Sequence, residues 1–173
     1  LSEKGLAENT VIILMGDNGY FLGERQLAGK WLMYDNSLRV PLIVFDPRKE
    51  GGKRSDDFAL NIDVPATILD LAGIPMPKSW QGISLASKDL AKRKEFLTEH
   101  LWQTPIIAPS EAIRTERWKY FRYINDPEWE ELYDLEMDPL EQINLAEKPE
   151  YQKQLEKLKK QMESLLKSYS LSK

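Results

Sequence analysis

The stretch Thr10-Val-Ile-Ile-Leu-Met-Gly16-Asp-Asn-Gly19 decides how this chain is read. Its first half is a short, continuous apolar run rich in β-branched side chains, the composition of a strand buried on both faces of a parallel sheet. The run stops at Gly16-Asp-Asn-Gly19, a dense turn signal. Ligands in open α/β sheets collect at the carboxyl ends of strands, so Asp17 and Asn18 hold the most favoured address in the sequence. They offer a carboxylate and an amide carbonyl, hard oxygen ligands suited to calcium or magnesium. Two side chains cannot fill a calcium shell of about six to eight oxygens, so a metal here needs further ligands from elsewhere. From the tripeptide alone, a plain turn with side chains capping local amides is the simpler reading.

Working outward, Val40-Pro-Leu-Ile-Val-Phe-Asp46 predicts a second buried strand, with Pro41 tolerable at its start. The segment between the two strands, Tyr20 to Arg39, is interrupted by glycines and long enough to suggest a functional loop. Within it, Lys30 could place a point charge on an anionic oxygen, or be a solvated surface lysine. Arg39, ahead of the second strand, is expected in a structural ion pair with Asp35 or Asp46. Glu24 and Arg25 could pair with each other or with neighbours. Asp46 to Asp57 reads as a charged surface loop. Ile62 to Leu71 predicts a helix, with Pro65 in its first turn, a stop at Gly73 and Pro75 beyond.

After Pro75 the pattern changes. Phe96-Leu-Thr-Glu-His100 predicts a strand, followed by a hairpin of Ala112-Ile-Arg-Thr and the aromatic-rich Trp118 to Ile124, then a short strand at Glu131 to Leu135. Trp118, Tyr120, Phe121 and Tyr123 are the expected core of this sheet. Tyr151, Leu155, Leu158, Met162, Leu165 and Tyr169 recur at spacings of three and four and mark an amphipathic terminal helix with a solvated charged face. His100 is the only histidine, able to act as acid, base or hydrogen-bond donor near neutral pH, although a lone histidine is more often structural.

Composition narrows the classes further. Hydrophobic residues make up 42% and charged residues 30% of the 173, with 28 acidic against 24 basic side chains and a net charge of −4. That balance argues against a nucleic-acid binder. No apolar run is long enough to span a bilayer. The absence of cysteine excludes disulfides, thiolate metal sites and a cysteine nucleophile. The opening Leu-Ser-Glu-Lys-Gly-Leu is neither a secretory signal nor an initiating methionine, so the chain reads as a piece of something longer.

Taken together, the segments resemble the sulfatase family of the alkaline-phosphatase-like superfamily. Thr10 to Glu24 is similar to that family's strand, metal-binding Asp-Asn-Gly and following loop. Gly29-Lys-Trp-Leu-Met-Tyr-Asp-Asn-Ser-Leu-Arg-Val-Pro-Leu resembles its sulfate-contacting lysine and the Met-Tyr-(acidic)-x-Ser-(Leu/Ile)-Arg-x-Pro-Leu signature. Asn61 to Gly73, Gln81-Gly-Ile-Ser-Leu85 and Glu131 to Ala146 complete the pattern, in the family's order.

The resemblance implies an α/β fold. Residues 1–85 would form the carboxyl-terminal portion of a parallel-sheet core with helices, and 86–173 a small subdomain with an antiparallel sheet packed on a terminal helix. It implies a parent enzyme that hydrolyses sulfate esters, expected on carbohydrates, with a formylglycine nucleophile and a calcium cofactor. Asp17 and Asn18 would be calcium ligands, Lys30 a catalytic and sulfate-binding residue, and His100 a substrate contact. Partners would be a sulfated small molecule or carbohydrate, with no nucleic acid and no membrane span, and the parent would be periplasmic, lysosomal or secreted. No serine begins a Ser-x-Pro-x-Arg motif, the family's paired amino-terminal aspartates have no counterpart, and Arg25 stands where some relatives have histidine. The chain alone is therefore expected to be inactive, with strand edges prone to self-association. Two other readings remain: a phosphate-ester hydrolase or transferase of the same superfamily, and a non-catalytic glycan- or partner-binding domain.

Overall fold

The computed structural model describes residues 1–103 and 107–170 and divides into two packing units. The first comprises Leu1–Lys30 and Asn36–Asp56; the second comprises Trp31–Asp35 and Asp57–Lys173.

In the first unit, β1 (Ile12–Met15) is followed by the short hairpin strands β2 (Phe21–Leu22) and β3 (Ala28–Gly29), then α1 (Asp35–Leu38), whose first residue belongs to the second unit, and β4 (Leu42–Phe45). The segment expected to be a loop therefore carries local structure of its own. β1 and β4 pair antiparallel, from Ile12 opposite Phe45 to Met15 opposite Leu42. The mixed α/β class stands, but the parallel direction expected for these two strands is corrected. An unbroken apolar run does not report direction, and the burial expected for both strands is corrected as well. A parallel return needs a crossover, usually helical, and this connection holds a two-residue-per-strand hairpin closed by a 3-10 turn at Glu24–Gln26 and a four-residue helix. Ile12, Leu14, Ile43, Val44 and Phe45 are exposed on this two-stranded ribbon.

The second unit begins with α2 (Asp63–Leu71). Its end has the geometry foreseen for the glycine: Gly73 at φ 69 donates to Asp70 O at 3.0 Å, and Ile74 donates to Leu69 O at 2.9 Å, a Schellman closure. Asp63 at its start is fully buried and organises the surrounding loops. Its carboxylate accepts from the amides of Leu60 (2.7 Å) and Ile83 (2.8 Å) and from the guanidinium of Arg93 (2.5 and 2.8 Å). Arg93 also donates to Phe58 O at 2.9 Å, so one ion pair ties three segments together.

The sheet of this unit is an antiparallel meander of β5 (Glu95–His100), β6 (Ser110–Thr115), β7 (Trp118–Tyr123) and β8 (Glu130–Asp134). Alternation sends Ile113, Tyr120 and Leu132 to one face, where they meet Leu155, Leu158 and Met162 of α3 (Gln152–Ser170). The other face carries Thr98, His100, Lys119, Phe121, Glu131 and Tyr133, and the segment Trp31–Asp35 is laid across it. Trp31 stacks on His100, Met33 Sδ accepts from Thr98 Oγ1 at 3.4 Å, and the Tyr34 ring packs edge-on to Phe121 and Tyr133. The Tyr34 hydroxyl donates to the Glu131 carboxylate at 2.8 Å.

At the end of this strap the Lys119 ammonium, 1% exposed, is held between the carboxylates of Asp35 and Glu141. Glu141 Oε2 also accepts from the Asp35 amide at 2.7 Å. Burial pushes the Glu141 carboxyl above the usual carboxylate range, against the attraction of Lys119.

Two outcomes follow for stability. Asp63→Ala leaves the Arg93 charge buried without its partner and is expected to cost about 3–5 kcal/mol by urea denaturation. The raised Glu141 value means the folded state keeps a proton that the unfolded chain has released. Its contribution is therefore complete below the ordinary carboxylate range and is lost as pH rises through the folded value. Glu141→Gln is expected to flatten the urea-midpoint profile across that window.

Candidate functional site

β1 delivers the Asp17-Asn18-Gly19 turn at its carboxyl end, and the Gly16 amide donates to Pro41 O at 3.3 Å, extending the ribbon to the turn itself. Asp17 is exposed, and its Oδ1 accepts from the Asn18 amide at 2.9 Å. Asn18 is half-buried; its Nδ2 donates to Gly19 O at 2.7 Å, which fixes the amide orientation and leaves Oδ1 facing outward from the turn. Lys30 Nζ donates to that Oδ1 at 3.0 Å, across twelve residues of sequence.

The hairpin explains how a distant lysine arrives there. Phe21 is buried and pairs with Gly29, so Lys30, one residue beyond β3, falls beside Tyr20 and next to the turn. The turn is pinned from a second side: the Gly19 amide donates to Ser37 O at 2.7 Å. A Cβ at Gly19 would stand 2.0 Å from Asn36 O, so only glycine permits this approach. The structure thus gathers Asp17, Asn18 and Lys30 within the first unit. His100 lies in the second unit, at the end of β5, its ring stacked on Trp31 with centroids 6.0 Å apart.

Other charged residues fall into structural roles. The Glu24 carboxylate accepts from the Leu22 amide at 2.6 Å, and the amides of Glu24 and Leu22 hold its carboxyl below the usual range. Arg39 is exposed and makes no ion pair among the described residues, which corrects its expected pairing. Asp35 is taken by Lys119, and Asp46 by Arg48 two residues away, whose guanidinium draws the Asp46 carboxyl down to about 2. A partner within the same turn, and a buried cation, outcompete a charge that is merely near in sequence.

Asp17 and Asn18 suit part of a hard-cation shell and no more. Among the described residues no group of three or more histidine, cysteine, aspartate or glutamate side chains is placed to hold a metal ion. The Asn18 carbonyl oxygen has two lone pairs, so serving Lys30 leaves one for a cation. A cation at that oxygen would stand beside the Lys30 ammonium, and the two positive groups would repel unless an anion lay against them.

The comparisons with known proteins agree with a sulfatase-type chain. The chain belongs to the N-sulphoglucosamine sulphohydrolase, C-terminal family, whose profile matches residues 23–168. It is 32% identical to an N-acetylglucosamine-6-O-sulfatase of Bacteroides thetaiotaomicron, over 98% of this chain and 32% of that protein. It is 37% identical to a choline-sulfatase of Rhizobium meliloti, over 86% of this chain and 29% of that protein. Among solved structures it superposes with a TM-score of 0.89 and 32% identity on BT4656 in complex with its substrate D-glucosamine-2-N,6-O-disulfate, covering 98% of this chain and 36% of that one. The chain therefore spans about a third of the length of these curated relatives. No helix among the described residues is long and apolar enough to cross a membrane.

Gly19→Ala is expected to displace the turn and cost about 1–3 kcal/mol in a thermal melt, as overpacking does. Gly52→Ala, where a Cβ meets nothing within 4 Å, is the control and is expected to change little.

Proposed function

We propose that this chain is the carboxyl-terminal part of a sulfatase that hydrolyses sulfate esters of a carbohydrate. In this reading residues 1–85 complete the catalytic core and 86–173 form the smaller subdomain. Asp17 and Asn18 hold a calcium ion together with ligands from outside this sequence. Lys30 contacts the sulfate, and His100 the remainder of the substrate. The observation that carries the reading is the 3.0 Å hydrogen bond from Lys30 Nζ to Asn18 Oδ1, which joins the expected sulfate contact to an expected metal ligand.

The chemistry follows from the groups present. Lysine is a compact ammonium with three donors, so Lys30 can keep Asn18 and still direct a proton at a sulfate or leaving-group oxygen. Such a fixed donor stabilises charge as the S–O bond breaks. Calcium, when bound, offsets negative charge on the sulfate oxygens. With no cysteine and no Ser-x-Pro-x-Arg sequence, the formylglycine nucleophile must come from outside these residues, so the chain alone is expected to turn over nothing. The exposed apolar ribbon of β1 and β4 makes self-association of the isolated chain expected as well.

The test is turnover by a protein extended upstream to include a formylglycine motif, assayed on N-acetylglucosamine-6-sulfate. Lys30→Ala is expected to lower kcat by about 10²–10³-fold. Asp17→Ala is expected to weaken calcium binding in a calorimetric titration and to lower turnover with it. An extended protein that cleaves phosphate or phosphonate esters but no sulfate ester would overturn the reading.

A further inference from the structure

Asn18-Gly19 is the one Asn-Gly step in the chain, and it carries a chemistry that neither a metal nor a sulfate role uses. A backbone nitrogen that follows asparagine can attack the asparagine side-chain carbonyl carbon. Glycine, with no Cβ, leaves that approach open and the backbone free to turn into it. Asparagine counts among the thermolabile residues. Within the first unit, two sets of contacts bear on the reaction in opposite senses. Lys30 Nζ donates to Asn18 Oδ1 at 3.0 Å, which draws electron density from the carbonyl and makes Asn18 Cγ a better target. The attacking nitrogen, however, is engaged elsewhere: the Gly19 amide donates to Ser37 O at 2.7 Å. Asn18 Nδ2 is also tied, to Gly19 O at 2.7 Å. The backbone of α1 lies so close that a Cβ at Gly19 would stand 2.0 Å from Asn36 O, which blocks the rotation an attack requires.

We propose that Asn18 is a modification site that loses its amide when the turn opens, and that the Gly19–Ser37 hydrogen bond is the catch holding the reaction off in the folded chain. In the first step the Gly19 nitrogen bonds to Asn18 Cγ and the Cγ–Nδ2 bond breaks. Nδ2 leaves as ammonia, taking the proton that the Gly19 nitrogen gives up. Water then opens the cyclic imide at either carbonyl. Opening at Cγ gives aspartate at position 18; opening at the main-chain carbonyl gives isoaspartate, with the chain rerouted through Cβ and Cγ. Both products carry a carboxylate, which has no hydrogen to donate to Gly19 O as Nδ2 does. Isoaspartate also lengthens the main chain by one carbon between β1 and the Gly19 amide, so the catch does not re-form. The change is therefore one-way. It alters a residue of the corner assigned above to calcium and sulfate, yet it does not depend on that assignment.

The test incubates the upstream-extended protein at mildly alkaline pH in water enriched in the heavy oxygen isotope, once native and once unfolded in urea. Tryptic digestion then releases Gly5 to Arg25, which also holds Asn9, followed by the β-branched Thr10 and so a slow internal comparison. Fragment spectra locate the label. Asn18 is expected to take up label faster than Asn9 in urea, and at least about tenfold more slowly in the native protein than in urea, because only the open fraction reacts. Amide exchange at Gly19 is expected to be slow in the native protein and to rise in step with labelling as sub-denaturing urea is added. Equal rates in native and unfolded protein, or a faster native rate, overturn the catch. No label at Asn18 in the unfolded protein overturns the site itself. The isoaspartate form, separated by ion exchange, is expected to have lost Gly19 protection; a protected Gly19 in that form overturns the one-way change. None of these readouts needs turnover or calcium, so they stand apart from the fate of the proposed function.

Discussion

A lysine ammonium almost entirely removed from water requires partners, and in this chain Lys119 finds two carboxylates that come from opposite directions. Asp35 arrives on the strap, and Glu141 on the loop after β8, where Glu141 also receives the Asp35 amide. Without them the second face of the meander would carry an unpaired buried charge, which costs more than any single apolar contact restores. With them, Met33 and Tyr34 can close over Thr98, Phe121 and Tyr133, and the sheet acquires a core on both sides. The buried network thus decides which five residues of the glycine-interrupted segment leave the first unit for the second.

This constraint bears on the proposed function through the covalent chain. Lys30 is one peptide bond from Trp31, the first residue of the strap, and one from Gly29, the last of β3. On one side it is held by the hairpin pairing that sets it beside Asn18; on the other, its neighbour is clamped by aromatic stacking. A flexible lysine stem gains little as an electrostatic catalyst unless its root is fixed, since preorganisation is what makes a donor effective. Trp31 itself has φ 83 and turns its indole to His100.

Much of the second unit was legible in the sequence because its elements are amphipathic in the plain sense. Leu155, Leu158 and Met162 at helical spacing, and Ile113, Tyr120 and Leu132 on alternating strands, each announce one buried face. Gly73 announced the helix stop through a backbone conformation that few other residues adopt. The direction of the β1–β4 pair was not legible, because a two-faced apolar run is silent about orientation. Nor was the partner of Asp35, because Lys119 is distant in sequence and lysine is rarely buried; its one signal was alternation, which sets it on the same face as Phe121. For the candidate site, Asp17, Asn18 and Lys30 were recognised from an ordered set of motifs, whereas the Lys30–Asn18 contact depends on a hairpin too short to show any periodicity.

The central claim is that the Asp-Asn-Gly turn and Lys30 together form one corner of a metal-assisted anion site. It is tested most directly by anomalous diffraction from crystals of the upstream-extended protein grown with calcium and a sulfate-ester analogue. The account predicts a metal peak about 2.3–2.6 Å from an Asp17 carboxylate oxygen and from Asn18 Oδ1, with an anion oxygen lying between the metal and Lys30 Nζ. A metal bound elsewhere, with Asp17 still capping the Asn18 amide and no anion at Lys30, would contradict it.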